Sequence, residues 1–185
     1  MFTSNVDGQF QRAGFDADRI VECHGAIETW QCTRDCGIGV YPAPPGPVVV
    51  EPLSFQAVDP LPRCPSCDAL ARPNVLMFGD DGWQESRTIA QQSRFEGWLE
   101  DVARMRGRLT IVECGAGIAI PTVRLLGETL ARQSAATLVR INPRDPRAPT
   151  GATSIASGAR ETLDAIEGCV TDLGISAKAH RRGER

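Results

Sequence analysis

The residues best equipped for chemistry in this chain are cysteines. Cys32 and Cys36 form a C-x3-C pair, and Cys64 and Cys67 form a C-x2-C pair after an excursion of 27 residues. A short knuckle of this kind lets two thiolates reach one ion, and two knuckles together supply the tetrahedral set that zinc prefers. Four protein ligands leave no coordination position for water, so such a site is structural and not catalytic. The length of the excursion costs little, because loop-closure entropy grows slowly with loop length. Four buried or disulfide-bonded cysteines are the alternative reading of the same spacing. Cys23, Cys114 and Cys169 stand outside the paired spacing and read as small apolar fillers.

A second reactive candidate is His24. It follows Ile20-Val21-Glu22-Cys23 and precedes Gly25. The sequence predicts a short strand ending at His24, with Gly25 stopping it. A histidine at a strand end is well placed to face a cleft. On pattern alone, however, a lone histidine is more often structural than catalytic.

Other elements must position these groups. Phe2 is expected at a strand end, and Asn5-Val6-Asp7-Gly8 carries turn chemistry. Residues 30–72 form the cysteine excursion, whose proline-rich middle excludes helix and allows at most an edge strand at Val48-Val49-Val50. Val75 to Phe78 predicts a short buried strand between Pro73 and Gly79. Residues 84–106 predict a helix burying Phe95, Trp98, Val102 and Met105 and ending at Gly107. A β-α-β unit follows. Leu109 to Cys114 is a strand, Gly115-Ala116-Gly117 a tight turn, and Pro121 the start of a helix with Val123, Leu126 and Leu130 facing inward. Thr137 to Asn142 is the parallel partner strand. Such a turn lets a nucleotide approach the backbone. Ile120 stands where the third glycine of the dinucleotide motif would be, so the turn alone is weak. Residues 143–158 read as loop. A last helix is expected to carry Leu163, Ile166, Val170 and Leu173 on one face and to stop at Gly174.

Composition narrows the class. The chain has 185 residues, 42% hydrophobic and 23% charged, which suits one soluble domain or a domain with a small insert. A net charge of −3 gives no electrostatic case for direct binding of nucleic acid or an anionic membrane. No run approaches the roughly 18 apolar residues of a membrane span. The first residues have neither the basic start nor the apolar run of a signal peptide. These features predict a cytoplasmic protein, where thiols favour metal over disulfide.

In order along the chain stand TSNVDG, CHG, C-x3-C, C-x2-C, RPNVLMFGD, a GAG turn after one strand and IN after the next. From residue 3 to about 173, this succession resembles the sirtuin family of NAD-dependent protein deacylases. The resemblance implies an α/β fold: a Rossmann-like parallel sheet, formed by 1–29 and 73–175, with an inserted zinc module at 30–72. Residues 176–185 are expected to be a disordered tail.

The resemblance also implies roles. NAD would be consumed as co-substrate, with release of nicotinamide and transfer of the acyl group from an acyl-lysine peptide to ADP-ribose. His24 matches the family's catalytic histidine, a general base toward the nicotinamide ribose, and Asn5 acts beside it. Asn5 and Asp7 match residues holding the nicotinamide-ribose end of NAD. Gly115, Gly117 and Asn142 match positions near the adenosine half. Val75, Phe78 and Gly79 match the segment that pairs with substrate backbone and lines the acyl-lysine tunnel. The metal site, Cys32, Cys36, Cys64 and Cys67, is structural in the family.

Three departures stand out. Ser4 replaces the family's glutamine. The glycine-threonine-serine turn has become Gly115-Ala116-Gly117. Nothing upstream of Thr3 matches the family's first β-α unit with its glycine-rich loop, so the reading is of a truncated deacylase. Its alternatives are an inactive zinc-bearing binding remnant and a sirtuin-like ADP-ribosyltransferase.

Overall fold

The structure is a computed structural model that describes residues 1–46 and 48–174. The expected tail at 176–185 lies outside the described residues. Two compact units divide the chain, Met1–Met105 and Arg106–Arg185. The division therefore falls after the long helix and not at the edges of the cysteine excursion.

The first unit contains β1 (Phe2–Thr3), α1 (Gln9–Arg12), a 3-10 turn (Ala17–Arg19), β2 (Val21–Glu22), β3 (Gly25–Cys32), β4 (Tyr41–Pro42), β5 (Ala71–Val75) and α2 (Ser86–Arg104). β1 and β2 pair in parallel, whereas β3 lies between antiparallel β4 and β5. Several expectations change here. The strand before His24 stops at Glu22, and Cys23-His24 is a turn. Gly25 opens the longest strand among the described residues instead of ending one. Its φ of 77° suits only glycine, and a Cβ there would lie 1.9 Å from the Asn74 carbonyl oxygen.

The strand expected at Val75 to Phe78 lies earlier, with Pro73 inside it. Proline is tolerated because β5 is an edge strand. Leu76, Met77 and Phe78 are exposed beyond its end. Val48 to Val50 form no strand, only a single bridge from Val50 to Ala57. The helix predicted at 84–106 is α2, but it leaves Trp98 half exposed and Met105 mostly exposed. Arg106, at φ 50°, takes the left-handed conformation expected of Gly107. α2 docks on β2 through polar groups instead. Gln91 exchanges hydrogen bonds with the Glu22 backbone and carboxylate, and Arg87 pairs with the same carboxylate.

The second unit holds β6 (Thr110–Cys114), α3 (Thr122–Gln133), β7 (Thr137–Ile141), β8 (Thr153–Ile155) and α4 (Ala159–Asp172). All three strands are parallel, in the order β6-β7-β8. The β-α-β unit is as expected, and β8 is an extra strand inside the segment read as loop. Leu138 and Ile141 of β7 are buried, but the deepest side chain of α3 is not apolar: Arg124 and Gly127 are buried while Val123, Leu126 and Leu130 are half-buried. A Cβ at Gly127 would meet the Glu113 carboxylate at 3.3 Å, so glycine lets helix and sheet approach. Leu163 and Ile166 of α4 and Leu173 just past its end are exposed, and Gly174 at φ 65° follows as expected.

Candidate functional site

The four paired cysteines converge. Their sulfurs all lie within 4.8 Å of one another. Cys32–Cys67 and Cys36–Cys64 are each 3.6 Å apart. A disulfide would need about 2.05 Å, so these are thiols. A tetrahedron with zinc–sulfur bonds of about 2.3 Å has edges near ~3.8 Å, and the cage therefore fits that ion. Each knuckle is shaped by its own backbone. Cys32 ends β3, and its sulfur accepts from the Arg34 amide at 3.3 Å. The Cys64 carbonyl accepts from the Asp68 amide at 3.0 Å, and its own amide donates to Ala69 at 2.7 Å. Apolar support is thin, consisting of Ala69 and Ile38 around the two buried cysteines. The Ile38 amide, hydrogen-bonded to Cys36, lowers that thiol to about 7.

A buried amide network ties the cage to β5. Gln31 precedes Cys32 and is fully buried, as is Asn74. The Asn74 side-chain amide donates to Gln31 Oε1 at 2.7 Å and to the Gln84 carbonyl at 2.9 Å. Gln31 in turn donates to the Gly82 carbonyl at 2.7 Å. Chain entry and exit around residues 75–84 are thus pinned to the strand that carries the first metal-type ligand.

That pinning positions the next group. The half-buried His24 accepts from the Leu76 amide at 3.0 Å through its carbonyl. The exposed segment Leu76 to Gly79 therefore starts directly beside the histidine. Arg72 and Asp80 close the segment with an ion pair of 2.7 Å. The same hydrogen-bonded guanidinium holds the Asp80 carboxyl below the usual carboxylate range. Val75 is half-buried at the strand end, and Phe78 is 91% exposed. Asn5 is exposed, and its amide donates to Thr3 Oγ1 at 3.0 Å. Asp7 accepts from the Gln9 amide at 3.1 Å and so shapes the turn that leads into α1. Gly8 sits against Glu28, whose carboxylate would touch a Cβ at 3.0 Å. The Ile27 amide donates to the Val6 carbonyl, which brings the Asn5–Gly8 turn alongside the start of β3. Asn5, Asp7, His24 and Val75 to Gly79 thus all belong to the first unit.

Gly115, Gly117 and Asn142 gather in the second unit, at the carboxyl ends of β6 and β7. Gly115 has φ 66°, and its amide donates to Ile141. Open space faces the position of a Cβ at both glycines. Asn142 is buried, and its amide donates to the Ala116 carbonyl at 3.0 Å. Its Oδ1 accepts from the Arg144 and Asp145 amides. Asn142 is committed to shaping two loops.

Sequence reasoning missed the charges that hold this end. Glu113 and Arg140 are register partners in the parallel pair and are almost wholly buried. Arg140 binds Glu113 with two nitrogens, at 2.5 and 2.9 Å, and Glu128 at 3.0 Å. A charge in the same place in each of two apolar strands was the available signal, because unpaired charge is excluded from such strands. Arg124 was likewise unflagged.

Comparisons with known proteins bear on the family and the fold. The NAD-dependent protein deacylase 1 of Archaeoglobus fulgidus is 25% identical over 167 residues, covering 90% of this chain and 58% of that protein. The NAD-dependent protein deacylase of Thermus thermophilus is 30% identical over 168 residues, covering 88% of this chain and 54% of that protein. Among solved structures, a Sir2–p53 peptide–NAD+ complex superposes with a TM-score of 0.55 at 23% identity, over 95% of this chain and 63% of that one. It supports the α/β fold. The chain thus spans a little over half the length of these curated relatives. The Sir2 family model itself matches residues 1–99, the stretch that holds the Asn5–Gly8 turn, His24, the thiol cage and the segment beside the histidine, and the chain belongs to the Sir2 family.

Proposed function

We propose that this chain carries the catalytic and substrate-binding groups of an NAD-dependent protein-lysine deacylase of the sirtuin type. The hydrogen bond from the Leu76 amide to the His24 carbonyl carries the reading, because it sets the exposed segment that follows β5 next to the one histidine in the Asn5–Gly79 constellation. The names of the relatives, NAD-dependent protein deacylases, point the same way.

In this reading, the His24 imidazole accepts the proton of a nicotinamide-ribose hydroxyl, as imidazole does near neutral pH. Asn5 and Asp7 offer an amide and a carboxylate that orient the carboxamide and hydroxyls of that end of NAD. The backbone of Val75 to Gly79 pairs with an acyl-lysine peptide as an added strand. Gly115 and Gly117 receive the adenosine half, and Asn142 supports them from behind. NAD supplies the electrophilic sugar carbon that takes up the acyl oxygen. Cys32, Cys36, Cys64 and Cys67 hold zinc, which supplies a structural crosslink and no reacting group. Free thiols and the absence, among the described residues, of a helix able to cross a membrane support work in the cytoplasm.

The test is nicotinamide release from NAD with an acetyl-lysine peptide. Release that depends on the peptide and is lost in His24→Ala is expected. Equal release from both proteins would defeat the enzyme reading. Peptide binding without any release would instead favour a zinc-bearing binding module, a reading supported by the exposure of Met77 and Phe78.

A further inference from the structure

Arg124 is 8% exposed, yet it lies on the helix that follows the glycine turn, with no carboxylate in ion-pair range among the described residues. Its three nitrogens bind backbone carbonyls instead. Nε donates to Ala116 at 2.9 Å, Nη1 to Arg147 at 3.4 Å, and Nη2 to Asp145. Burying a guanidinium is costly unless its donors are satisfied. Here all the satisfaction comes from two loops at the carboxyl ends of β6 and β7.

The Ala116 carbonyl is held twice, by Arg124 and by the Asn142 amide at 3.0 Å. Both donors lie on the buried side. In a trans peptide the carbonyl and the following N–H point in opposite directions. The only cis peptide among the described residues is Asp59–Pro60. Fixing the Ala116 oxygen inward therefore fixes the Gly117 N–H outward. That N–H has no backbone acceptor among the described residues, and open space faces the Gly117 Cα. The Arg124 guanidinium, bound to three carbonyl oxygens, lies behind it.

We propose that Arg124 is a positioning residue for the nucleotide: it clamps the Ala116 carbonyl so that the Gly117 amide donates to an anionic or hydroxyl oxygen of the ADP-ribose portion of NAD. This rests on the deacylase reading for the identity of the ligand. The clamp itself rests only on the hydrogen bonds. It also accounts for the turn's loss of hydroxyls, since a fixed backbone donor takes over a contact that a threonine or serine would make.

The experiment uses the full chain with zinc, labelled with 15N, as wild type, Arg124→Met and Arg124→Lys. Amide order parameters are measured for Ala116 and Gly117, and ADP-ribose is titrated. In the wild type, both amides are expected to be rigid, and the Gly117 resonance to shift on adding ADP-ribose. Arg124→Met should free these two amides while those of β6 and β7 keep their shifts, and should weaken ADP-ribose about tenfold, the worth of roughly one charge-assisted hydrogen bond. Arg124→Lys should recover part of the affinity. If Arg124→Met does not fold, Arg124→Lys carries the comparison. Unchanged order and affinity in a folded variant would overturn the proposal. Absence of ADP-ribose binding by the wild type, with Arg124→Met still loosening the turn, would refute the nucleotide reading and uphold the clamp.

Discussion

The two units solve the same problem by opposite means. In Met1–Met105 the interior holds Ile20, Val21, Ala26 and Trp30, the Gln31–Asn74 amide pair, the thiol cage and one buried carboxylate, Glu22, paired with Arg87. In Arg106–Arg185, among the described residues, only Leu138 and Ile141 are buried apolar side chains, and the rest of the buried set is Glu113, Arg124, Arg140, Asn142 and Thr162. One unit is closed by a site for an external ion beside a single buried carboxylate, whereas the other is held mainly by several buried charges of its own chain. Both presentations of function follow from this. The amide network pins the segment beside His24, and Arg124 with Asn142 holds the Ala116 carbonyl of the glycine turn. The first unit should therefore depend on metal, and the second should depend on charge balance.

The largest effect that can separate them is loss of the cage. Cys64→Ser removes a buried ligand, and structural zinc contributes about 10–16 kcal/mol in small metal-dependent folds. Zinc content should fall from one per chain to none, and circular dichroism should lose the β3–β5 sheet. Next is the charged centre of the second unit. Glu113→Leu leaves Arg140 short of a partner and should cost about 3 kcal/mol by thermal unfolding. The double variant Glu113→Leu with Arg140→Leu should recover most of that loss, because the buried charge goes too. A single-variant cost that the double variant merely adds to would contradict the contrast.

Smaller is Gln31→Ala, which takes one of two acceptors from the Asn74 side-chain amide and the acceptor of the Gln84 N–H, and should cost about 1–3 kcal/mol. It should also broaden the amide resonances of residues 82–84. Smallest is the Arg72–Asp80 pair. Its carboxyl is lowered, so its contribution is complete above the unfolded value of about 3.9 and is lost as pH falls through the lower folded value. The Met77 amide, which donates to Asp80, should keep its shift from pH 8 to about 4 and move only below that. Movement between pH 5 and 7 would assign the loop's order to another group.

Legibility in the sequence followed the length and regularity of the signal. The cysteine spacing is a chemical pattern that survives any uncertainty about secondary structure, and the four sulfurs do meet. The β6-α3-β7 unit had apolar strands and a glycine turn, and it is present. β3 was missed because GAIETWQC mixes apolar and polar residues, and its buried Gln31 is satisfied by Asn74, Gly82 and Gln84 from far along the chain. Val75 to Phe78 looked like a buried strand because apolar runs in a sequence do not say whether anything covers them. Glu113, Arg124 and Arg140 are individually ordinary charges. Their roles come from register and from a helix turn bringing them together, which no single residue announces.

The most direct test of the contrast is amide hydrogen exchange on the zinc-loaded chain before and after chelation. The account predicts that β3 and β5 lose protection when the metal is removed, while β6 and β7 exchange as before. Protection of β3 and β5 that survives removal of the metal would contradict it.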